Sequence, residues 1–220
     1  MNIYHGSKAI IEHPKFKGSN PNNDYGPSFY LTLDLDLAKS WACKNNSTGI
    51  VNVYKVSSEK FKRLKILDLT DKSKYSFLNW IAILMNFREL NETFKRVNFE
   101  ALEWLKKYYI DVNDYDVIIG YRADDAYFRF PLQFISNNLA VEDMEEIFLL
   151  GNLGIQYAFM SEKAIKTLEF SNAIQCEDKF IGRYLSIILE ATNDFENKLN
   201  RPKKPNKHYM LDLVRGNYEI

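Results

Sequence analysis

The chain has 220 residues, of which 46% are hydrophobic and 15% aromatic, enough for one packed domain with a modest appendage. Its 29 Lys and Arg residues balance its 29 Asp and Glu residues, which argues against a globally basic nucleic-acid-binding protein. The two cysteines and three histidines show no metal-ligand spacing, so we expect neither a zinc site nor a disulfide framework. We expect a soluble, cytoplasmic protein with no membrane partner, because the sequence shows neither a signal-peptide pattern nor a long apolar run.

Strands and loops are predicted for the first third of the chain. In chain order, the pattern predicts a strand at residues 2–5, a loop rich in Gly, Pro, Asn and Asp at 18–28, a strand at 29–33, a helix at 34–44, and strands at 49–56 and 64–69.

Helical spacing dominates between residues 75 and 110. Beyond it, the pattern predicts a strand at 115–120, a helix at 143–150, a strand at 155–160, a short helix capped by Ser161, and a long helix at 180–199 that ends before RPKKPNK. Such unequal helical insertions do not give a regular alternation of strand and helix. We therefore predict the α+β class with a mostly antiparallel sheet.

Three short segments suggest chemistry when they are taken together. They are YHGS at residues 4–7, YGPSFYLT at 25–32 with Trp41 beyond it, and Gln156 in IQYAFMSEKA. Each segment alone has an ordinary interpretation as a turn histidine, a core strand, a packed tryptophan or a solvent-facing amide. Their combination and order are what favour a functional site.

Together these segments resemble the ADP-ribosyltransferase superfamily, in the branch whose triad is His, Tyr and an acidic or amide residue. YHGS is similar to the HGS segment of the poly(ADP-ribose) polymerases, and FYLT to the tyrosine strand of that branch. The order also resembles a bacterial family of such transferases, which adds a GxVNxY strand, a YDxxIG strand with ADD, and Q-x-x-x-x-[ST]-E-x-A. Here those motifs are residues 49–54, residues 115–120 with 123–125, and residues 156–164.

The resemblance implies an ADP-ribosyltransferase-like split antiparallel β-sandwich with helical insertions and a C-terminal helix. It covers roughly residues 1–170, which we expect to form the NAD-binding domain. Residues 171–220 are then a C-terminal helical extension with a basic tail.

The resemblance also implies NAD as the substrate. The residues expected to hold NAD are His5, Gly6, Ser7, Tyr30, Thr32 and Trp41. His5 and Ser7 would hydrogen-bond the adenosine ribose, while the backbone of Gly6 would hold the nicotinamide carboxamide. Tyr30 and Trp41 would sandwich the nicotinamide ring, because stacking favours a flat and partly cationic ring.

The implied catalytic residues are His5, Tyr30 and Gln156. Gln156 stands where the polymerases carry glutamate, and its amide can accept a hydrogen bond from the ribose 2′-OH. It argues against chain elongation, which needs a carboxylate to activate a hydroxyl. Glu162 is the alternative for the acidic role, although helix capping also explains it. If the position serves a carboxylate-like role, we expect Gln156→Glu to preserve or raise NAD cleavage.

The implied activity is an NAD-dependent mono-ADP-ribosyltransferase of the toxin or effector kind, with a small antitoxin as an implied partner. The motifs do not decide whether the acceptor of ADP-ribose is a protein or a nucleic acid. Two alternative functions are a non-catalytic module that binds NAD or ADP-ribose and an NAD glycohydrolase. Asp124 and Asp125, with Arg129, either shape the acceptor side or form a turn. The basic residues Lys198, Arg201, Lys203, Lys204 and Lys207 either touch a nucleic acid or form a solvated tail.

Overall fold

The computed structural model describes residues 1–44, 47–123, 127–149, 154–199 and 206–220. The strands are β1 (Asn2–Ser7), β2 (Phe29–Leu31), β3 (Ile50–Val56), β4 (Ile66–Asp68), β5 (Val117–Tyr121), β6 (Ile155–Phe159) and β7 (Leu168–Gln175). The helices are α1 (Leu35–Ala42), α2 (Ser58–Lys62), α3 (Phe77–Phe87), α4 (Glu92–Val97), α5 (Phe99–Leu105), α6 (Arg129–Ile135), α7 (Val141–Leu149), α8 (Glu162–Ile165), α9 (Lys179–Leu199) and α10 (Met210–Val214). No helix within these ranges is long and apolar enough to cross a membrane.

The strands form two sheets, so the α+β class and the mostly antiparallel pairing are confirmed. One sheet has the order β1-β3-β7 and is antiparallel throughout. The other has the order β2-β6-β5-β4, in which β4 and β5 are parallel. Tyr4 and Thr32 exchange two backbone hydrogen bonds of 2.9 Å across the sheets. This bridge brings the middle of β1 beside the end of β2.

The apolar side chains form three clusters that hold these sheets in place. Between the sheets, Ile3 of β1 and Tyr54 of β3 pack with Leu31 of β2 and Phe159 of β6. A larger cluster covers the outer face of the four-stranded sheet with residues of α3, α5, α6, α7 and α10. On the other side, α1 and the start of α9 cover the three-stranded sheet. The sequence therefore builds a layered molecule with β1 and β2 at the junction of the sheets.

The segment after residue 170 is integrated with the rest of the chain. The predicted boundary falls inside β7, which pairs with β3 along its length. Phe180 of α9 joins the cluster with α1, and Met210 and Leu213 of α10 join the largest cluster. Residues 171–220 thus supply a strand and core side chains as well as the predicted long helix.

Candidate active site

A cleft of about 670 Å³ gathers the residues that the sequence motifs singled out. Five of them line it: His5, Gly6, Tyr30, Trp41 and Gln156. They come from both sheets and from α1, although the first and last are separated by 151 positions of sequence. The fold therefore places the three predicted catalytic residues in one concave site.

His5 is held in one orientation by its neighbours on β2. Its ring stacks on Phe29 with a centroid distance of 4.4 Å, and its Nδ1 lies 2.7 Å from the backbone carbonyl oxygen of Tyr30. Burial lowers the pKa of His5, which the bond to the Tyr30 carbonyl only partly offsets. A neutral ring that donates from Nδ1 keeps a lone pair on Nε2. His5 therefore offers the cleft a hydrogen-bond acceptor.

Tyr30 presents its ring to the cleft while its hydroxyl holds the preceding loop. The hydroxyl donates to the Gly26 carbonyl oxygen at 2.7 Å and accepts from the backbone N–H of Tyr25 at 3.0 Å. Burial raises the pKa of Tyr30 above its usual value, so the phenol stays neutral. The hydroxyl is thus a structural group, and the ring is the part that can stack on a ligand.

Trp41 lies on the cleft wall beside a buried cation. The Arg122 guanidinium lies over the Trp41 ring at 5.3 Å and over the Tyr184 ring at 5.8 Å. Desolvation lowers the pKa of Arg122, yet a guanidinium remains protonated at neutral pH. The aromatic wall therefore carries a positive charge of its own.

Gly6 is required by packing, a reason different from the ligand approach predicted from the sequence. A Cβ at this position would lie 2.1 Å from the carbonyl oxygen of Ala38 and 2.8 Å from the backbone nitrogen of Ala42. The missing side chain lets α1 lie directly against β1. That contact in turn places Trp41 beside the end of β1.

Ser7 and Thr32, which the sequence resemblance assigns to the NAD site, are not among the residues that line the cleft. The Ser7 hydroxyl donates to the Ala9 carbonyl oxygen at 2.6 Å and accepts from Asn52 Nδ2 at 2.9 Å. Thr32 is 1% exposed, and its hydroxyl donates to the Ile155 carbonyl oxygen at 3.0 Å. Both hydroxyls fix local backbone, one beside β1 and the other between β2 and β6.

Gln156 has a fixed amide orientation. Its Nε2 donates to Asp24 Oδ2 at 2.8 Å and to the Tyr121 carbonyl oxygen at 3.3 Å. Both partners can only accept, so the nitrogen must face them. Within the described part of the chain, no donor is bonded to Oε1. The oxygen of a buried cleft residue is therefore left to accept a hydrogen bond.

Five charged residues of the cleft were not identified from the sequence: Asp24, Lys44, Arg88, Glu89 and Arg122. Asp24 is 7% exposed and lies 3.6 Å from an Arg88 guanidinium nitrogen. Asp24 directly precedes the YGPSFYLT segment, and Arg122 directly follows a buried strand, so position alone offered a weak signal for both. Nothing in the pattern around Arg88 marks it.

Glu162 lies away from the cleft. Its side chain is 74% exposed, with an oxygen 3.8 Å from Lys166 Nζ. It begins α8, where the Ser161 hydroxyl accepts from the backbone N–H of Ala164 at 3.0 Å and so confirms the predicted cap. Gln156 is therefore the candidate that the cleft favours for the third position.

None of the remaining predicted polar groups that the structure describes lines the cleft. Asp124 and Asp125 lie outside the described residues, and Arg129 begins α6 as an exposed side chain. Of the basic tail, residues 201, 203 and 204 also lie outside them, and Lys207 pairs with Asp143. Among the residues described, no cluster of three or more His, Cys, Asp or Glu is placed to hold a metal ion.

Comparison with known proteins gives a family without an assigned activity. No curated protein and no solved structure matches the chain. One family model matches residues 1–170, and every described residue that lines the cleft, apart from Tyr184, lies in that stretch. The protein therefore belongs to the family described as "Protein of unknown function (DUF3990)".

Proposed function

We propose that the protein is an NAD-dependent mono-ADP-ribosyltransferase. The observation that carries the proposal is the convergence of His5, Tyr30, Trp41 and Gln156 on one cleft. Two sheets that meet at β1 and β2 agree with the split β-sandwich that the sequence resemblance implies. A residue set spread over the chain and drawn together in one cleft is the usual form of a small-molecule site.

The cleft carries groups that suit each part of a dinucleotide. The neutral His5 ring would accept a hydrogen bond from a ribose hydroxyl, and the Tyr30 and Trp41 rings would stack on the cationic nicotinamide. Arg88 and Arg122 place positive charge beside the same space, where a pyrophosphate would be attracted. These features support NAD rather than an uncharged ligand.

The reaction requires a developing positive charge on the nicotinamide ribose to be stabilised. The glycosidic C–N bond breaks, and its electron pair goes to the nicotinamide nitrogen. The ribosyl cation then takes an electron pair from the acceptor, whose proton passes to water. Gln156 Oε1 would accept the 2′-OH hydrogen bond and stabilise the cationic sugar through that contact.

The activity is tested by incubating the purified protein with NAD carrying a label on its ADP-ribose. We expect nicotinamide release and a labelled macromolecule when bacterial lysate is added. Free ADP-ribose as the sole labelled product would favour a glycohydrolase. NAD binding without turnover in lysate would favour a binding module and contradict the proposal.

NAD should stabilise the folded protein through contacts with Trp41. A ligand that binds only the native state at 100 times its Kd adds about 2.7 kcal/mol, and each kcal/mol raises Tm by about 2–4 °C in a chain of this size. Trp41→Ala should reduce this NAD-induced rise in a thermal-shift assay. Trp104→Ala is the matched control, since Trp104 lies on α5 among Tyr108 and Lys107 and away from the cleft. An equal NAD-induced rise in Tm in both variants would contradict the placement of Trp41 in the NAD-binding site.

A further inference from the structure

A buried carboxylate stands directly behind the candidate catalytic amide. Asp24 Oδ2 accepts from the Ala123 backbone N–H at 2.8 Å and from Gln156 Nε2 at 2.8 Å. Its other oxygen lies 3.6 Å from an Arg88 guanidinium nitrogen. Asp24 therefore joins the loop before β2, the end of β5 and the third candidate residue on β6.

The backbone that directly follows Asp24 is fixed by packing and hydrogen bonding, so the carboxylate has a defined position. The neighbouring Tyr25 is fully buried, and its hydroxyl donates to the Tyr121 carbonyl oxygen at 2.8 Å. Gly26 follows with φ of +75°, and a Cβ there would lie 2.6 Å from the Phe87 ring. The turn that presents Asp24 thus depends on a glycine that no larger residue can replace without strain.

A buried charge at this position is costly, and its pairing with Arg88 at 3.6 Å offsets only part of that cost. Burial raises the pKa of Asp24, while the Ala123 N–H, the Gln156 amide and the two arginines oppose that rise. An asparagine oxygen would satisfy the Ala123 N–H without burying a charge. The extra property of a carboxylate is its effect on the groups that donate to it. The nearest such side chain is the Gln156 amide.

We propose that Asp24 is a positioning residue that orients and polarises the Gln156 amide for its contact with the ribose. An amide that donates from nitrogen to a carboxylate becomes a stronger acceptor at its oxygen, because hydrogen bonds in series polarise one another. Negative charge from Asp24 thereby reaches Gln156 Oε1 without a carboxylate in contact with the substrate. This inference rests on the proposed function, since it assigns Gln156 Oε1 to the cationic sugar.

Asp24→Asn tests the role of the charge, because it preserves size and an oxygen that accepts from Ala123. We expect kcat for NAD cleavage to fall by about tenfold or more, with KM for NAD changed by less than about threefold. Asp34→Asn is the matched control, since Asp34 loses the same charge while capping α1 through bonds to Asp36 and Leu37. Its kinetics should match those of the wild type.

A double-mutant cycle separates positioning from a structural role. Because Asp24 acts through Gln156, Asp24→Asn should lower kcat no further in a Gln156→Ala background. A merely structural role would lower kcat by the same factor in both backgrounds and would overturn the inference. If Asp24→Asn does not fold, Asp24→Glu carries the same cycle, because it keeps the charge but displaces the carboxylate by one methylene.

The two proposals fail in different ways. If the wild type cleaves NAD and Gln156→Ala lowers kcat but Asp24→Asn does not, the proposed function stands and the role of Asp24 is overturned. If the wild type releases no nicotinamide, both are overturned. If Asp24→Asn lowers kcat and its effect is fully additive with that of Gln156→Ala, only the inference that Asp24 acts through Gln156 is overturned.

Discussion

Gln156→Ala is expected to lower kcat for NAD cleavage by about 10²–10³-fold, by analogy with the loss of one preorganised donor from an oxyanion hole. The Oε1 contact is proposed to strengthen as the sugar becomes cationic, so the loss should fall on kcat rather than on KM. Nicotinamide release measured over a range of NAD concentrations gives both constants. The variant also leaves Asp24 without one donor, so its free energy of unfolding should fall by about 1–3 kcal/mol.

Two further variants make the Gln156→Ala result specific. Gln175→Ala removes an exposed amide at the end of β7 and should leave both kinetic constants unchanged. Glu162→Ala should also retain turnover, because that side chain is exposed and outside the cleft. Should Glu162→Ala abolish turnover while Gln156→Ala keeps it, the acidic role would belong to Glu162.

Local pattern was sufficient to predict the inner strands of the fold. β3 and β5 are apolar runs whose side chains are mostly buried, and glycine marks one end of each run. β7 was not predicted, because its sequence has few apolar residues and no clear apolar–polar alternation, and many of its side chains face solvent. Its pairing with β3 is a tertiary effect that no local period records.

Helical spacing overstated the continuity of the region between residues 75 and 110. Phe94, Ala101 and Leu105 follow one helical period, yet the chain breaks at Asn98 between α4 and α5. Val97 fits the same helical period, yet its side chain is 73% exposed. A helical period measures spacing along the chain and does not record a break between two consecutive helices.

In the candidate site, too, residues within local motifs were predicted and a tertiary contact was not. His5, Tyr30 and Gln156 were predicted because short motifs surround them, and they do meet in the cleft. The contact between Asp24 and Gln156 was not predicted, because it depends on how β2 pairs with β6 and on where β5 ends beside them. Such a contact across 132 positions has no sequence signature in a single chain.

The Asp24 contact also reverses the sequence-based expectation for Gln156→Glu. A carboxyl oxygen in place of Nε2 would lie 2.8 Å from Asp24 Oδ2 and 3.3 Å from the Tyr121 carbonyl oxygen. Both neighbours are acceptors, so the introduced carboxyl must keep its proton to remain there. Two carboxylates that share one site raise one pKa strongly.

The sign of the pH dependence follows from that raised pKa. In the unfolded chain the introduced carboxyl loses its proton near its usual pKa of about 4.3, while the folded chain retains it to higher pH. The variant should therefore lose stability relative to the wild type as pH rises, by about 1.4 kcal/mol per pH unit until the folded carboxyl ionises. Among the residues that the structure describes, the charged or titratable groups near this pair are Arg88, Arg122, Tyr25 and Tyr30.

Urea unfolding of the wild type and Gln156→Glu at pH values from 5 to 8 measures this difference in stability. Nicotinamide release over the same pH range measures NAD cleavage by the two proteins. We expect NAD cleavage by the variant to fall below that of the wild type as pH rises, because the ionised carboxyl is repelled from its place beside Asp24. Gln175→Glu adds the same charge at an exposed position and should show neither effect. Parallel stability profiles for wild type and Gln156→Glu would contradict the contact between Asp24 and Gln156 on which this expectation rests.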